Sequence, residues 1–205
     1  MATTRRRLTD KQVDELADAL EQFAQPAQSV TYQNYQMAHD PSRKLGIQSA
    51  HGFPKAGLTT AVSFGLAHEV WTDVNFPDRT ELVQGWDGPS LEHTRLLLAV
   101  AEGSISTRTL PKPGVIYEGA VVSARLPELA RRMPHATVLF PYLWGDAFTK
   151  VVLSGGIRVW FVQVVPLYDV EVKYIQQKGF AAFEEVLTEV GAFFDQLHRE
   201  PYVVL

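Results

Sequence analysis

The most regular alternation of apolar and polar positions lies between Ile157 and Leu197. Val159-Trp160-Phe161-Val162-Gln163-Val164-Val165 is aromatic or β-branched on both alternating faces, as a central strand covered above and below requires. Pro166 has no amide hydrogen to give to a ladder, so it belongs at the end of that strand. Val170, Tyr174 and Ile175 then recur at helical spacing until Gly179 ends the helix. Past that break, Phe180, Phe183, Val186, Leu187, Val190, Phe194 and Leu197 share one face, and Glu184, Glu185, Glu189 and Asp195 the other. This pattern predicts one long amphipathic helix.

The same reading applies to the rest of the chain. Thr9 and Gln12 have capping-box spacing ahead of Val13, Leu16, Leu20 and Phe23, which predicts a helix that packs on the body of the protein and ends before Pro26. Val30–Tyr35 reads as a strand, Asp40-Pro41-Ser42-Arg43-Lys44 as a surface loop, and Leu45–Gly57 as a loop or short edge strand. Thr59–Ser63 is a strand entering a turn at Gly65, and Val70–Val74 is a short strand or loop. Arg79–Gln84 is a strand stopping at Gly85, with Leu82 on one face and Glu81 and Val83 on the other; it pairs antiparallel with the strand before it. Asp87-Gly88-Pro89 opens a Leu-rich helix that stops near Gly103, and a long loop over residues 107–122 follows. Leu126–Met133 is a short helix. Strands at Ala136–Phe140 and Phe148–Leu153 lead through a hairpin turn, Ser154-Gly155-Gly156, into the central strand. The sum is an α+β single domain with a mixed, largely antiparallel sheet flanked by helices. Residues 1–28 form an N-terminal helix and tail, and residues 29–205 the body.

Composition narrows the class of function. A chain of 205 residues with 46% hydrophobic and 11% aromatic content can bury a sizeable core. The net charge of -4, from 19 basic and 23 acidic residues, gives no reason to expect nucleic acid. Arg5-Arg6-Arg7 reads as a solvated tail. The absence of cysteine excludes disulfides, thiolate metal sites and thiol nucleophiles. With no apolar leader segment and no apolar run of about 20 residues, a cytoplasmic location without membrane contact is expected.

No G-x-S-x-G elbow is present, and Leu153-Ser154-Gly155-Gly156 is followed by neither lysine nor a helix, so it reads as a turn and not a phosphate loop. The histidines at 39, 51, 68, 93, 135 and 198 are scattered. His68-Glu69 with Asp73 has suitable donors for a divalent ion, set against a plain polar loop after a strand. His93 reads as a surface or boundary residue. Asp169, Glu171 and Lys173 read as the first turn of a helix, or as a charged rim at the end of the sheet. Trp160 is a core position, whereas Trp86 and Trp144, each next to a glycine, cap the core edge or anchor an interface. No catalytic, cofactor or metal residue is assigned, and the partner-binding residues stay open.

Three stretches together resemble the suppressor-of-fused-like domain family. Gly57–Ala67, GLTTAVSFGLA, is similar to its Thr-rich strand and Gly-Leu turn, with Ala67 where serine is usual. Arg79-Thr80-Glu81-Leu82-Val83 resembles its R-x-E-L strand, followed at the expected distance by a Leu-rich helix. Val159–Gly179 resembles its apolar strand, Pro-Leu turn, Glu and Gly-terminated helix. With the intervening loop they cover roughly residues 29–194. The resemblance implies a mixed sheet flanked by helices and a protein-binding role without catalysis or cofactor. The animal regulator of that name holds a transcription factor in a groove involving a second domain, for which this chain is too short. Bacterial members resemble immunity proteins that neutralise toxins. A protein partner, of which a toxin domain is one form, is therefore expected. The rival reading is a small hydrolase or transferase built around His68 and Asp73.

Overall fold

The computed structural model describes residues 7–38, 40–71, 78–87, 90–145, 148–192, 194 and 199–204. In chain order the elements are α1 (Asp10–Ala24), β1 (Ser29–Met37), β2 (Asp40–His51), β3 (Thr59–Phe64), β4 (Arg79–Trp86), α2 (Ser90–Thr107) and β5 (Ile116–Tyr117). They continue with α3 (Ala120–Ser123), α4 (Pro127–Ala130), β6 (His135–Leu139), β7 (Lys150–Leu153), β8 (Ile157–Leu167), α5 (Asp169–Lys178) and α6 (Phe180–Glu189). The sheet order is β1-β2-β3-β4-β8-β6-β5, with β7 pairing β8 as well. β8 runs parallel to β4, and the other pairings are antiparallel.

β8 explains why its sequence is apolar on both faces. Val162 and Val164 join the core beneath α2, with Leu82, Leu96, Leu97 and Val100. Val159 and Phe161 meet α1 through Leu16, Leu20 and Phe148. Val165 and Leu167 meet α5 and α6 through Val172, Ile175, Phe183 and Leu187. The molecule is therefore a sheet with α2 on one side and α1, α5 and α6 on the other. Leu82 and Val83 do point to opposite faces. Pro166 lies next to the end of β8, and Ser154-Gly155-Gly156 closes the β7–β8 hairpin with Leu153 opposite Ile157.

The structure corrects several expectations. Asp40–Lys44 and the residues after it are not a loop: they begin the twelve-residue β2, which pairs with both β1 and β3. From Gly46 to His51 pairing on both sides satisfies its backbone, whereas Asp40 and Lys44 pair with β1 alone across a register shift, and the Asp-Pro-Ser signal persists locally as the Ser42 amide donates to Asp40 Oδ1 at 3.1 Å. α2 runs through Gly103 to Thr107. Gly103 lies within the helix under the Tyr117 ring, which a Cβ there would meet at 3.4 Å, and it does not end the helix. The loop at 107–122 carries β5 and α3, and the helix expected over Leu126–Met133 is the single turn α4. α6 stops at Glu189, where Gly191 turns left-handed at φ 58. There the Gly191 amide donates to the Thr188 carbonyl at 3.2 Å and the Ala192 amide to the Leu187 carbonyl at 2.9 Å, a Schellman closure. Val190 is accordingly exposed, while Asp195 and Leu197 lie outside the described residues.

Trp160 is only half-buried and sits among charged groups: its Nε1 donates to Asp78 Oδ2 at 2.7 Å and the Lys150 ammonium lies 5.0 Å from its ring centroid. Trp86 and Trp144 are buried in the core, and Trp144 Nε1 donates to Thr60 Oγ1 at 2.8 Å. His93 is fully buried, its ring centroid 4.2 Å from that of Trp86, because α2 turns this face onto the sheet.

Candidate functional site

Among the described residues, β1, the first strand of the sheet, is the longest strand paired on one side only. β1 reads SVTYQNYQM, without charge or proline, and most of its residues are exposed. Among the described residues its partner strand is β2, paired from Ser29↔His51 to Gln36↔Lys44. A long, charge-free edge strand presents unpaired amides and carbonyls to any extended segment. Tyr32 lies opposite Gln48 and Asn34 opposite Gly46, so these side chains share the α1 side of the sheet. Thr31 and Gln33 flank a small hollow on the α2 side with Leu91 and Thr94.

α1 borders this edge, and its sequence accounts for its position. Thr9 caps it, accepting from the Gln12 amide at 3.4 Å while Gln12 Oε1 accepts from the Thr9 amide at 3.0 Å. Leu16 and Leu20 are buried on the sheet, and Gln12 and Glu15 tie the helix to the β7–β8 turn at Ser154 by bonds of 2.7 and 2.6 Å. Asp14, Asp18 and Glu21, spaced i, i+4 and i+7, are exposed on the outward flank. Asp10 and Glu15 add to the acidity, with Lys11 as the helix's one base. A modest net charge thus conceals a locally acidic surface.

Beside the other end of α1 lies a cleft of about 370 Å³ lined by Leu8, Arg43, Lys44, His68, Glu69 and Glu81, among others. His68 ends the short helical turn Leu66–His68 that follows β3. Glu81, on β4, is fully buried in its floor. Its Oε1 accepts from the Gly65 and Ala67 amides, each at 2.9 Å, and its Oε2 from the Ser63 hydroxyl. Ser63 Oγ in turn accepts from the Leu82 amide at 2.8 Å. Burial pushes the carboxyl up to about 7, outweighing the opposite pull of the Ser63, Ala67 and Gly65 donors. Both oxygens are thus engaged in holding the β3 turn, where Gly65 takes φ 119. Arg43 bridges Asp40 at 3.0 Å and Glu69 at 2.8 Å, and Arg79 donates to the Glu69 carbonyl.

The structure therefore brings His68, Glu69 and Glu81 to one cleft, while Asp73 lies outside the described residues. Among the described residues no three His, Asp or Glu side chains assemble as ion ligands. His51 reaches Thr59 Oγ1 at 3.2 Å and His135 reaches Asp169 Oδ1 at 2.7 Å, each on a different element; His39 and His198 are outside the described residues. Asp169 and Glu171 open α5, as a helical first turn requires, but Glu171 is fully buried and not part of a charged rim. Among the described residues no helix is long and apolar enough to cross a membrane. The sequence pattern predicts a strand at Val30–Tyr35 and a loop or short edge strand at Leu45–Gly57, whereas the structure makes β1 the edge and β2 its inner neighbour. The signal available for that edge was the nine-residue run without charge or proline, followed by Gly46.

Comparison with known proteins places this architecture. A suppressor of fused homologue from Neisseria gonorrhoeae has a similar structure, with a TM-score of 0.69 at 13% identity over 95% of this chain and 98% of that one. The structure of the Sufu–Fu complex gives a TM-score of 0.61 at 12% identity, covering 87% of this chain and 84% of that one. Drosophila Suppressor of Fused gives 0.63 at 11% identity, and there this chain spans 94% of its own length but 51% of the other's. No curated protein sequence matches the chain. The family described as Suppressor of fused protein matches residues 41–200, from the start of β2 to the C-terminal segment after α6. On that match, which covers most of its length, the chain belongs to the suppressor of fused family.

Proposed function

We propose that this chain is a non-catalytic, cytoplasmic protein-binding module that neutralises a toxin partner by covering its working surface in a one-to-one complex. The observation that carries the reading is the open edge at β1, nine residues long and free of charge and proline. Strand addition there gives affinity through main-chain hydrogen bonds and selectivity through alternate side chains. The acidic flank of α1 next to it favours a basic partner and speeds encounter at low salt. Family membership supports a binding role, and one of the similar structures is itself a complex of two proteins.

Affinity capture from the native lysate, with mass spectrometry of what is retained, tests this. Recovery of one partner at one-to-one stoichiometry, lost in the double variant Thr31→Lys/Gln33→Lys, is the expected result. Added lysines blunt the edge and repel a basic partner. A partner retained equally by the double variant overturns the β1 edge as the site. A captured partner that this chain fails to inhibit overturns the toxin reading.

A further inference from the structure

Gln48 is 1% exposed, on the α1 side of β2. Its Nε2 donates to the Leu20 carbonyl at 3.3 Å and to the Tyr32 hydroxyl at 2.9 Å. The Leu20 carbonyl can only accept, so a flipped amide would set oxygen against oxygen; the orientation is fixed. Gln48 Oε1 is left buried without a hydrogen-bond partner. A buried acceptor in that state costs about 1–3 kcal/mol. Such a group has a use where a ligand supplies the donor.

Gln48 lines a hollow of about 290 Å³ between α1 and the first two strands, with Ala17, Leu20, Phe64 and Tyr32 around it and Glu21 among the lining residues. Gly46 keeps the hollow open, since a Cβ there would meet the Phe64 carbonyl oxygen at 3.3 Å and Asn34 Oδ1 at 3.4 Å. Desolvation first, then the charge of Glu21, raises the Tyr32 hydroxyl above its ordinary value, and the Glu21 carboxylate places a negative charge beside the hollow. The described lining thus offers a buried neutral acceptor, a carboxylate and two aromatic rings, and it holds no Lys or Arg.

We propose that this hollow receives an arginine side chain from a partner segment that adds to the sheet along β1. The proposal rests on the strand-addition reading above and specifies its chemistry. Neighbouring strands lie about 4.8 Å apart, so a long side chain on the α1 side of the added strand crosses β1 beside Tyr32 or Asn34. Its stem lies against Leu20 and Phe64. The rigid guanidinium fork donates to Gln48 Oε1 and Glu21 together and stacks on an aromatic ring, which a lysine ammonium does less well. A neutral indole would fill the space but leave Glu21 and the Asp14–Asp18 flank unanswered.

The test uses a defined peptide, acetyl-TVTRTVT-amide, and its counterparts with citrulline or leucine in place of arginine. Each is titrated into the isotope-labelled chain and followed by NMR. The expected result is perturbation of the β1 amides together with the Gln48 side-chain amide, and binding weakened by roughly tenfold with citrulline. Glu21→Gln is expected to weaken the arginine peptide selectively, and Ala17→Phe, which fills the hollow, to abolish its preference. Equal binding of all three peptides along β1 overturns the arginine pocket and leaves strand addition standing. Failure of all three to perturb β1 overturns both. An unchanged arginine preference in Ala17→Phe, with the variant's thermal unfolding intact, also overturns the pocket.

Discussion

The chain buries two glutamates completely and satisfies them in opposite ways. Glu171 of α5 meets Arg199 in a bidentate pair of 2.6 and 2.7 Å and also accepts from the Tyr202 and Tyr168 amides, each at 3.0 Å. Arg199 donates further to the Pro166 carbonyl at 2.8 Å and lies against the Tyr168, Phe194 and Tyr202 rings. Glu81 of β4 has only neutral donors, and burial lifts its carboxyl to about 7. The difference shows what each carboxylate holds in place. The charged pair fastens the C-terminal segment to the end of β8, a contact between residues 28 positions apart in sequence. The neutral cradle shapes a tight turn beside the cleft, and its proton is exchangeable near neutrality.

The sharpest way to break the comparison is to take the cation from Glu171. Arg199→Met should cost about 3–5 kcal/mol, because an ionised carboxylate is left buried and unpaired. Urea unfolding measures it, and the double variant Glu171→Leu/Arg199→Met should recover part of the loss but not all, since the Tyr168 and Tyr202 amides then lack their acceptor. A smaller but diagnostic effect belongs to Glu81. Between its ordinary value of 4.5 and about 7 the folded protein keeps a proton that the unfolded chain has released. Stability must then fall as pH rises through that window and level off above it, by roughly 3 kcal/mol. The difference in unfolding free energy between the native chain and Glu81→Gln isolates this from groups shifted the other way, such as Glu15 and Asp40. A difference that does not change with pH would show that Glu81 titrates at its ordinary value.

Ser63→Ala sharpens the cradle. It removes a donor to Glu81 and the acceptor for the Leu82 amide, for a loss of about 2 kcal/mol, and it should move the Glu81 titration upward. The smallest effect is at the N-terminus. Thr9→Ala removes the cap of α1 and should cost about 1 kcal/mol, with helix fraying seen in amide exchange at the first turn and the Glu171 clamp unaffected.

Legibility in the sequence follows from how local each determinant is. The Thr9–Gln12 cap, the two-faced apolar run of β8, the Leu82/Val83 alternation and the Ser154-Gly155-Gly156 turn were readable because neighbours in sequence decide them. β2 was not, because an Asp-Pro-Ser start and Gly46 look like a loop until β1 and, from Gly46 on, β3 supply ladders. Gly103 looked like a helix end because nothing near it in sequence announces Tyr117 packing over it. His68 stands out in sequence as a candidate donor, yet its neighbour in the cleft, Glu81, looks only like one face of a strand. Gln48 and the hollow went unread, since a polar residue in an apparent loop gives no hint of burial.

The sequence alone determined the fold class, the identity of the central strand and the family, because periodicity, turn chemistry and the order of three local motifs carry them. Only the tertiary structure decided which polar groups are buried, which partners answer them and where the sheet stays open. Burial and charge pairing depend on contacts between residues far apart in the chain, and no local pattern encodes which distant side chain will arrive.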